Sequence, residues 1–192
     1  ESVFYPVALR DSLEALPSNE TKVILHQSDE EIPLQKNLVY KAWKLMHDKY
    51  NVPPLEFHLV KKIPSQAGLG GASSNAVSAL KICKEAASLE ISDMDMFALA
   101  AELGSDCPFF INHTPQIVTG RGDVTGDIDF SLAGVYIQIV KKKKLHDGSF
   151  GIATPEAYAQ IVPNDDRPSV LQIISQPLGD WRNILQNDFQ PY

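Results

Sequence analysis

The chain has 192 residues, of which 44% are hydrophobic and 21% charged, and its formal net charge is −7. That is enough for one compact domain with a core of its own, and the acidic balance argues against a general nucleic-acid binder. No apolar run approaches the ~20 residues a membrane helix needs and no signal peptide opens the chain, so the expectation is a cytoplasmic protein without a membrane partner.

In chain order, residues 3–9 and 21–26 carry β-branched and apolar strand content, separated by a turn cluster at Pro17, Ser18 and Asn19. From Asn37 the period changes to helical: Leu38, Ala42, Leu45, Met46 and Lys49 share a face, Asn37 suits the N-cap, and Pro53-Pro54 stops the helix. Phe57 to Lys62 reads as the next strand. A glycine-rich segment follows and turns into a helix over 74–88. A further helix starts at Ser92, with Asp95 in a capping-box-like relation, and ends at Gly104. Pro108 to Ile111 and Gly134 to Val140 read as buried strands, Thr154-Pro155-Glu156 as a helix start, and a last amphipathic stretch surrounds Trp181, Ile184 and Leu185. The interleaving lacks regular βαβ alternation, which points to an α+β fold.

Gly68-Leu69-Gly70-Gly71-Ala72-Ser73-Ser74-Asn75 holds the most chemical information. Its glycines let the backbone approach a ligand, and the helix that follows begins with amides lacking internal partners, a combination suited to a polyphosphate. Ser73 and Ser74 add hydroxyls for a phosphate or a magnesium ion. A P-loop would need Gly-Lys-Ser/Thr after its glycines, a dinucleotide fingerprint a glycine at 73, and a hydrolase elbow a glycine at 75; none is present. The bland alternative is a glycine turn that merely leads the chain into a helix. Cys83 and Cys107 form no metal-ligand pattern, and His26, His47, His58, His113 and His146 share no spacing, so no metal is assigned to protein side chains.

The stretch from Lys62 through Ile63-Pro64 and the glycines to Asn75-Ala76 resembles the second motif of the GHMP kinases, closest to their diphosphocytidyl-methylerythritol kinase branch. Phe4-Tyr5, Asn37-Leu38-Val39, Leu103 to Phe110, Gly120 to Asp123, Ala153 to Tyr158 and Asn187-Asp188-Phe189 resemble further segments of that branch, in the same order. The resemblance implies a fold like the second domain of ribosomal protein S5, with residues 1–150 as the ATP-binding domain and 151–192 ending it and beginning a C-terminal domain. It further implies that a lysine-bearing strand and a cytosine-binding histidine precede Glu1, and that a third glycine-rich motif follows Tyr192. The implied activity is phosphorylation, with ATP and Mg²⁺, of the 2-hydroxyl of a cytidine diphosphate methylerythritol substrate, in non-mevalonate isoprenoid precursor synthesis, by a monomer or weak homodimer. Another GHMP small-molecule kinase, or an inactive nucleotide-binding fragment, is the alternative.

By the same resemblance Asp106 is the base that accepts the substrate's hydroxyl proton, although a turn aspartate is the plain reading of its position. Asn37 and Leu38 lie beside adenine; Lys61, Pro64 and Gly68, Leu69, Gly70, Gly71, Ala72, Ser73, Ser74 and Asn75 hold the nucleotide. Phe4 and Tyr158 sandwich the cytosine, with Thr154 nearby. The bland readings are a helix cap for Asn37 and Thr154, a solvated lysine for Lys61 and a core aromatic for Phe4. Ala72 stands where the family usually has glycine, and 141–149 replaces a shorter turn.

Overall fold

A computed structural model describes residues 1–26, 32–65, 67–120, 122–140, 158–159, 161–162 and 166–188. Its strands are β1 (Ser2–Phe4), β2 (Ser12–Pro17), β3 (Lys22–His26), β4 (Leu55–Val60), β5 (Gln116–Thr119) and β6 (Val124–Asp127). Its helices are α1 (Leu38–Tyr50), α2 (Gly71–Ala86), α3 (Asp93–Leu103) and the single turn α4 (Phe109–Asn112), with a short helix at Val170–Ile174. The strands form two three-stranded sheets, ordered β1-β5-β6 and β2-β4-β3. In the second, β4 runs antiparallel to β2 and parallel to β3. The expected α+β class holds.

The core lies between the β2-β4-β3 sheet and helices α1 and α2. β4 alternates strictly, turning Leu55, Phe57 and Leu59 inward. They meet Val39, Ala42 and Met46 of α1 and Ala76, Val77, Leu80 and Cys83 of α2, all buried. Full burial of each large apolar side chain contributes about 1.5–3 kcal/mol, so this layer is what fixes where β4 ends and α2 begins. The buried face of α1 is Val39, Ala42, Trp43 and Met46, rotated slightly from the expected one because Trp43 turns inward and donates its indole N–H to the Pro53 carbonyl at 3.0 Å. Asn37 caps α1 as expected, its Oδ1 accepting from the Val39 amide at 2.9 Å. Ser92 caps α3 and bonds Asp95 twice.

Several expectations are corrected. The strand expected over 3–9 stops at Phe4, and Ser12–Pro17, whose Leu13 and Ala15 alternate inward, is the strand that borders β4. β4 begins two residues before the expected strand and α2 three residues before the expected helix. Pro108 to Ile111 is not a strand: Phe109–Asn112 is one helical turn after Pro108, whose ring supplies a helical φ and needs no donor there. Gly134 to Val140 forms no strand among the described residues, and Tyr136 and Val140 are exposed. Apolar alternation gives a strand only where a second backbone completes the ladder. The β5–β6 hairpin is absent from the sequence reading, although Ile117-Val118 and Val124 stand on either side of a Gly-Arg-Gly spelling. The stretch around Trp181 is a 3-10 turn, Leu178–Asn183. The helix start at Thr154 lies outside the described residues. Among those described, no helix is long and apolar enough to cross a membrane.

Candidate active site

The glycine-rich segment leaves β4, passes Ile63 and Pro64, and enters α2 with Gly70 at the N-cap. Gly70 adopts a left-handed conformation (φ +64°), and a Cβ there would stand 2.6 Å from the Phe110 ring. Only glycine meets both conditions without displacement. Gly71 packs against Ile63, where a Cβ would come within 2.8 Å. Gly68 is different: a Cβ at that position meets nothing within 4 Å, so this part of the loop faces open space. The first described intrahelical bond at this end runs from the Ser74 amide to the Gly70 carbonyl at 2.9 Å. The amides of Gly71, Ala72 and Ser73 therefore form the donor set that helix geometry leaves for an external acceptor, and Gly70 at the N-cap offers them no side-chain partner. Ala72 is exposed, Ser73 and Ser74 are half-buried, and Asn75 is buried.

The segment 104–110 lies against this loop. Ser73 is near enough to the Cys107 thiol to oppose the rise in its pKa that burial causes, and Phe110 fills the space over Gly70. Asp106 stands between Ser105 and Cys107 in this segment. Burial pushes its carboxyl above the ordinary aspartate range, with the Ser105 hydroxyl, 3.5 Å away, pulling in the opposite sense. The turn of the β5–β6 hairpin reaches the same carboxylate: Gly122 has φ +95°, and a Cβ on it would sit 2.9 Å from Asp106 Oδ1. The absent side chain at 122 is what allows the hairpin to close over Asp106. A half-buried carboxylate with a raised pKa is the kind of group that can accept a proton near neutral pH.

Sequence reasoning missed Asp11. Its side chain is 1% exposed and accepts four hydrogen bonds. Lys61 Nζ (2.5 Å) and Asn75 Nδ2 (2.8 Å) donate to Oδ2, while the amides of Lys62 (2.6 Å) and Ile63 (2.7 Å) donate to Oδ1. Burial alone would raise the Asp11 pKa. The bonds from Ile63, Lys61, Asn75 and Lys62 outweigh it and hold the group below the ordinary range. A depressed carboxyl contributes stability that is present above the unfolded-chain pKa and is lost as pH falls through the folded one. Nothing in the local spelling marks Asp11, because its partners are 50 to 64 positions away.

The remaining expected residues have the following surroundings. Lys61 spends its ammonium on Asp11 and is largely covered. Asn37 is buried as the cap of α1, with Leu38 half-exposed next to it, and Pro64 is half-exposed in the loop. Phe4 packs edge-on against Phe109 with ring centroids 5.2 Å apart, and Tyr158 is 62% exposed. Thr154 lies outside the described residues. No group of three or more His, Cys, Asp or Glu side chains among the described residues is arranged to hold a metal ion.

Comparison with known proteins places this geometry. Residues 37–113 match the family model for the GHMP kinases N-terminal domain. The chain is 38% identical over 190 residues to the 4-diphosphocytidyl-2-C-methyl-D-erythritol kinase of Parabacteroides distasonis, covering 99% of this chain and 68% of that one. To the kinase of the same name from Bacteroides thetaiotaomicron it is 41% identical over 194 residues, covering 99% and 69%. A crystal structure of 4-(cytidine 5'-diphospho)-2C-methyl-D-erythritol kinase superposes with a TM-score of 0.63 at 24% identity, over 90% of this chain and 61% of that one. Homoserine kinase from Cytophaga hutchinsonii superposes at 0.56 with 15% identity, over 86% and 54%. The two solved structures share the fold. The sequence relatives go further, and on them the chain belongs to the 4-diphosphocytidyl-2-C-methyl-D-erythritol kinase family of GHMP kinases.

Proposed function

We propose that the chain carries the ATP-binding part of an enzyme that transfers the γ-phosphoryl group of ATP to the 2-hydroxyl of 4-diphosphocytidyl-2-C-methyl-D-erythritol. The observation that carries this reading is the packing of the 104–110 segment on the glycine loop through Cys107–Ser73 and Phe110–Gly70. It gives a desolvated carboxylate and a set of outward helix amides in one neighbourhood. Names borne by relatives at 38–41% identity supply the substrate.

In this reading the amides at Gly71, Ala72 and Ser73, with the loop from Gly68, receive the polyphosphate. The α2 dipole favours its negative charge. Asn37 and Leu38 border the adenine and Pro64 lines the loop. Phe4, Thr154 and Tyr158 face the cytidylyl end of the substrate, with Phe4 already oriented by Phe109. Asp106 takes the proton of the 2-hydroxyl as its oxygen bonds to the γ-phosphorus and the bond from that phosphorus to the β–γ bridging oxygen breaks. Phosphoryl transfer requires little covalent chemistry of the protein, so rate comes from in-line positioning and charge stabilisation. Mg²⁺ fits here as an ion held mainly by phosphate oxygens and water, with the Ser74 hydroxyl as the available protein oxygen. When bound it would neutralise charge on the phosphates. Residues 1–150 form the ATP-binding unit in this assignment, and 151–192 lead into the next domain.

The test is Asp106→Asn in the full-length gene product, assayed with ATP and the cytidylyl substrate. ATP affinity should stay within a few-fold of the unmodified enzyme while turnover falls by about 10²–10⁴, the usual loss for a general base. Near-normal turnover would remove Asp106 from the chemistry. A second nucleotide-dependent activity on homoserine or mevalonate, with none on the cytidylyl substrate, would keep the fold and reject the substrate.

A further inference from the structure

The nucleotide reading leaves one buried charged group without a role. Asp11 lies in the link between β1 and β2, far in sequence from the loop, yet it is nearly sealed from solvent and uses both oxygens twice. Its four donors are not scattered. Lys61, Lys62 and Ile63 form the stem by which the chain enters the glycine loop, and Asn75 is on the second turn of α2, just beyond the stem by which it leaves. One carboxylate thus joins the two ends of the loop.

We propose that Asp11 is a positioning residue for the phosphates of the bound nucleotide, locking both stems of the 63–70 loop so that the α2 amides are aimed before ATP arrives. The inference rests on the nucleotide reading above and deepens it. The bonds from Lys62 and Ile63 fix the orientation of consecutive peptide planes where the chain leaves β4. Ile63 then serves as the surface on which Gly71 packs. The bond from Asn75 fixes the rotation of α2 about its own axis, which sets where the Gly71, Ala72 and Ser73 amides point. Lys61 neutralises the carboxylate, so a negative charge buried beside an anion site does not repel the phosphates.

A backbone loop without such ties would have to be ordered by the ligand, and affinity would fall by the cost of that ordering. Asp11 reaches no reacting atom in this arrangement; it acts through the loop. The competing role is simple stapling of β2 to the end of β4, since Ser12 pairs with Val60 at the adjoining end of the ladder. Stapling predicts lost stability with unchanged affinity in the protein that remains folded. Loop positioning predicts lost affinity for the phosphates in particular.

The experiment compares Asp11→Asn with the unmodified full-length gene product, titrating each with MgATP and separately with adenosine. The asparagine keeps an oxygen for the Lys62 and Ile63 amides. Its nitrogen cannot accept from Lys61 and meets Asn75 only if the Asn75 amide turns over, so the tie to α2 is weakened. MgATP affinity is expected to fall tenfold or more, adenosine affinity to change less than threefold, and amides 67–75 to exchange hydrogen faster. Met46→Ala, a cavity in the α1 layer away from the loop, serves as the matched destabilised control and should leave MgATP affinity unchanged.

Equal MgATP affinity in folded Asp11→Asn and unmodified enzyme overturns the inference alone. An equal loss in Met46→Ala does so too, since the effect would then be general. Failure of the unmodified enzyme to bind MgATP at all removes the nucleotide reading, and this inference with it. If Asp11→Asn does not fold, Asp11→Glu keeps the charge for Lys61 but cannot satisfy all four donors. It is expected to weaken MgATP in the same direction, and full affinity there also overturns the proposal.

Discussion

Two glycine-bearing turns bear on the 104–110 segment, and they do opposite things with the space a missing side chain leaves. Gly70 brings the phosphate loop onto Phe110, while the next residues present backbone amides outward. Gly122 brings the β5–β6 hairpin onto Asp106, and its own amide is consumed by the Thr119 carbonyl at 3.1 Å. In the proposed reading the first turn receives an anion and the second keeps water from a carboxylate. A glycine-rich spelling is thus ambiguous until one knows whether the amides beside it are used inside the protein. The loop's amides at the start of α2 fall where a helix has no internal partner, and the hairpin's fall where a β-turn has one.

Gly122→Ala should break the hairpin's side of this contrast most severely. The new methyl would lie 2.9 Å from Asp106 Oδ1 on a backbone of φ +95°, so either the turn lifts or the carboxylate swings away. Misplacing a reacting group by about 1 Å costs up to about 10²-fold in rate, and kcat is expected to drop by about 10–10²-fold with ATP affinity near normal. The pH profile is the sharper readout. If Asp106 is the base proposed above it works as the anion, so turnover rises as pH climbs through its pKa, which burial holds above the ordinary range. Lifting the turn admits water and lowers that pKa, so the rising limb should move to lower pH. A limb that stays in place at full activity would show that the hairpin does not shield the base.

Gly70→Ala acts on the other turn and should show the reverse split. The strain of a left-handed alanine is about 1–2 kcal/mol, and the methyl would press on Phe110. If that strain is relieved by rotating the loop, ATP affinity should fall about tenfold, since 1.4 kcal/mol is a factor of ten. The pH limb set by Asp106 should not shift. Kinetics with ATP varied at saturating second substrate would resolve this, and a shift of the limb without a change in ATP affinity would contradict the division of labour.

How far this site could be read from the chain depends on whether its determinants are local. The helix cap at Asn37, the Ser92–Asp95 cap and the entry of the glycine loop into a helix are all local; the two caps are where the spelling puts them, and the helix follows the glycines as read but starts three residues earlier. Pro108 to Ile111 is too short a run for its period to tell strand from helix, and the proline decided it. Gly134 to Val140 has the alternation of a strand, but alternation says nothing about whether a partner is in reach. Asp106 reads as a turn residue until family resemblance gives it a role, because its burial comes from a hairpin turn that is distant in sequence. Asp11 is the extreme case: each of its bonds joins residues at least 50 apart, and no window along the chain contains them.

The smallest effect expected separates loop shape from helix propensity. Ala72 is exposed, at the second position of α2. Ala72→Gly keeps the backbone amide that points outward and removes only a methyl and the helical bias it brings. Glycine costs about 0.5–1 kcal/mol relative to alanine inside a helix, and the first turn should show the lower part of that range. ATP affinity should change by less than about threefold, because 1.4 kcal/mol would be needed for ten. Thermal unfolding and ATP titration on the same sample give both numbers. The result bears on the contrast between the two turns: the loop's aim is set by Asp11, Ile63 and Phe110, which this substitution leaves untouched. A tenfold loss of ATP affinity in Ala72→Gly would mean that the first turn of α2 is ordered by its own propensity and not by those ties.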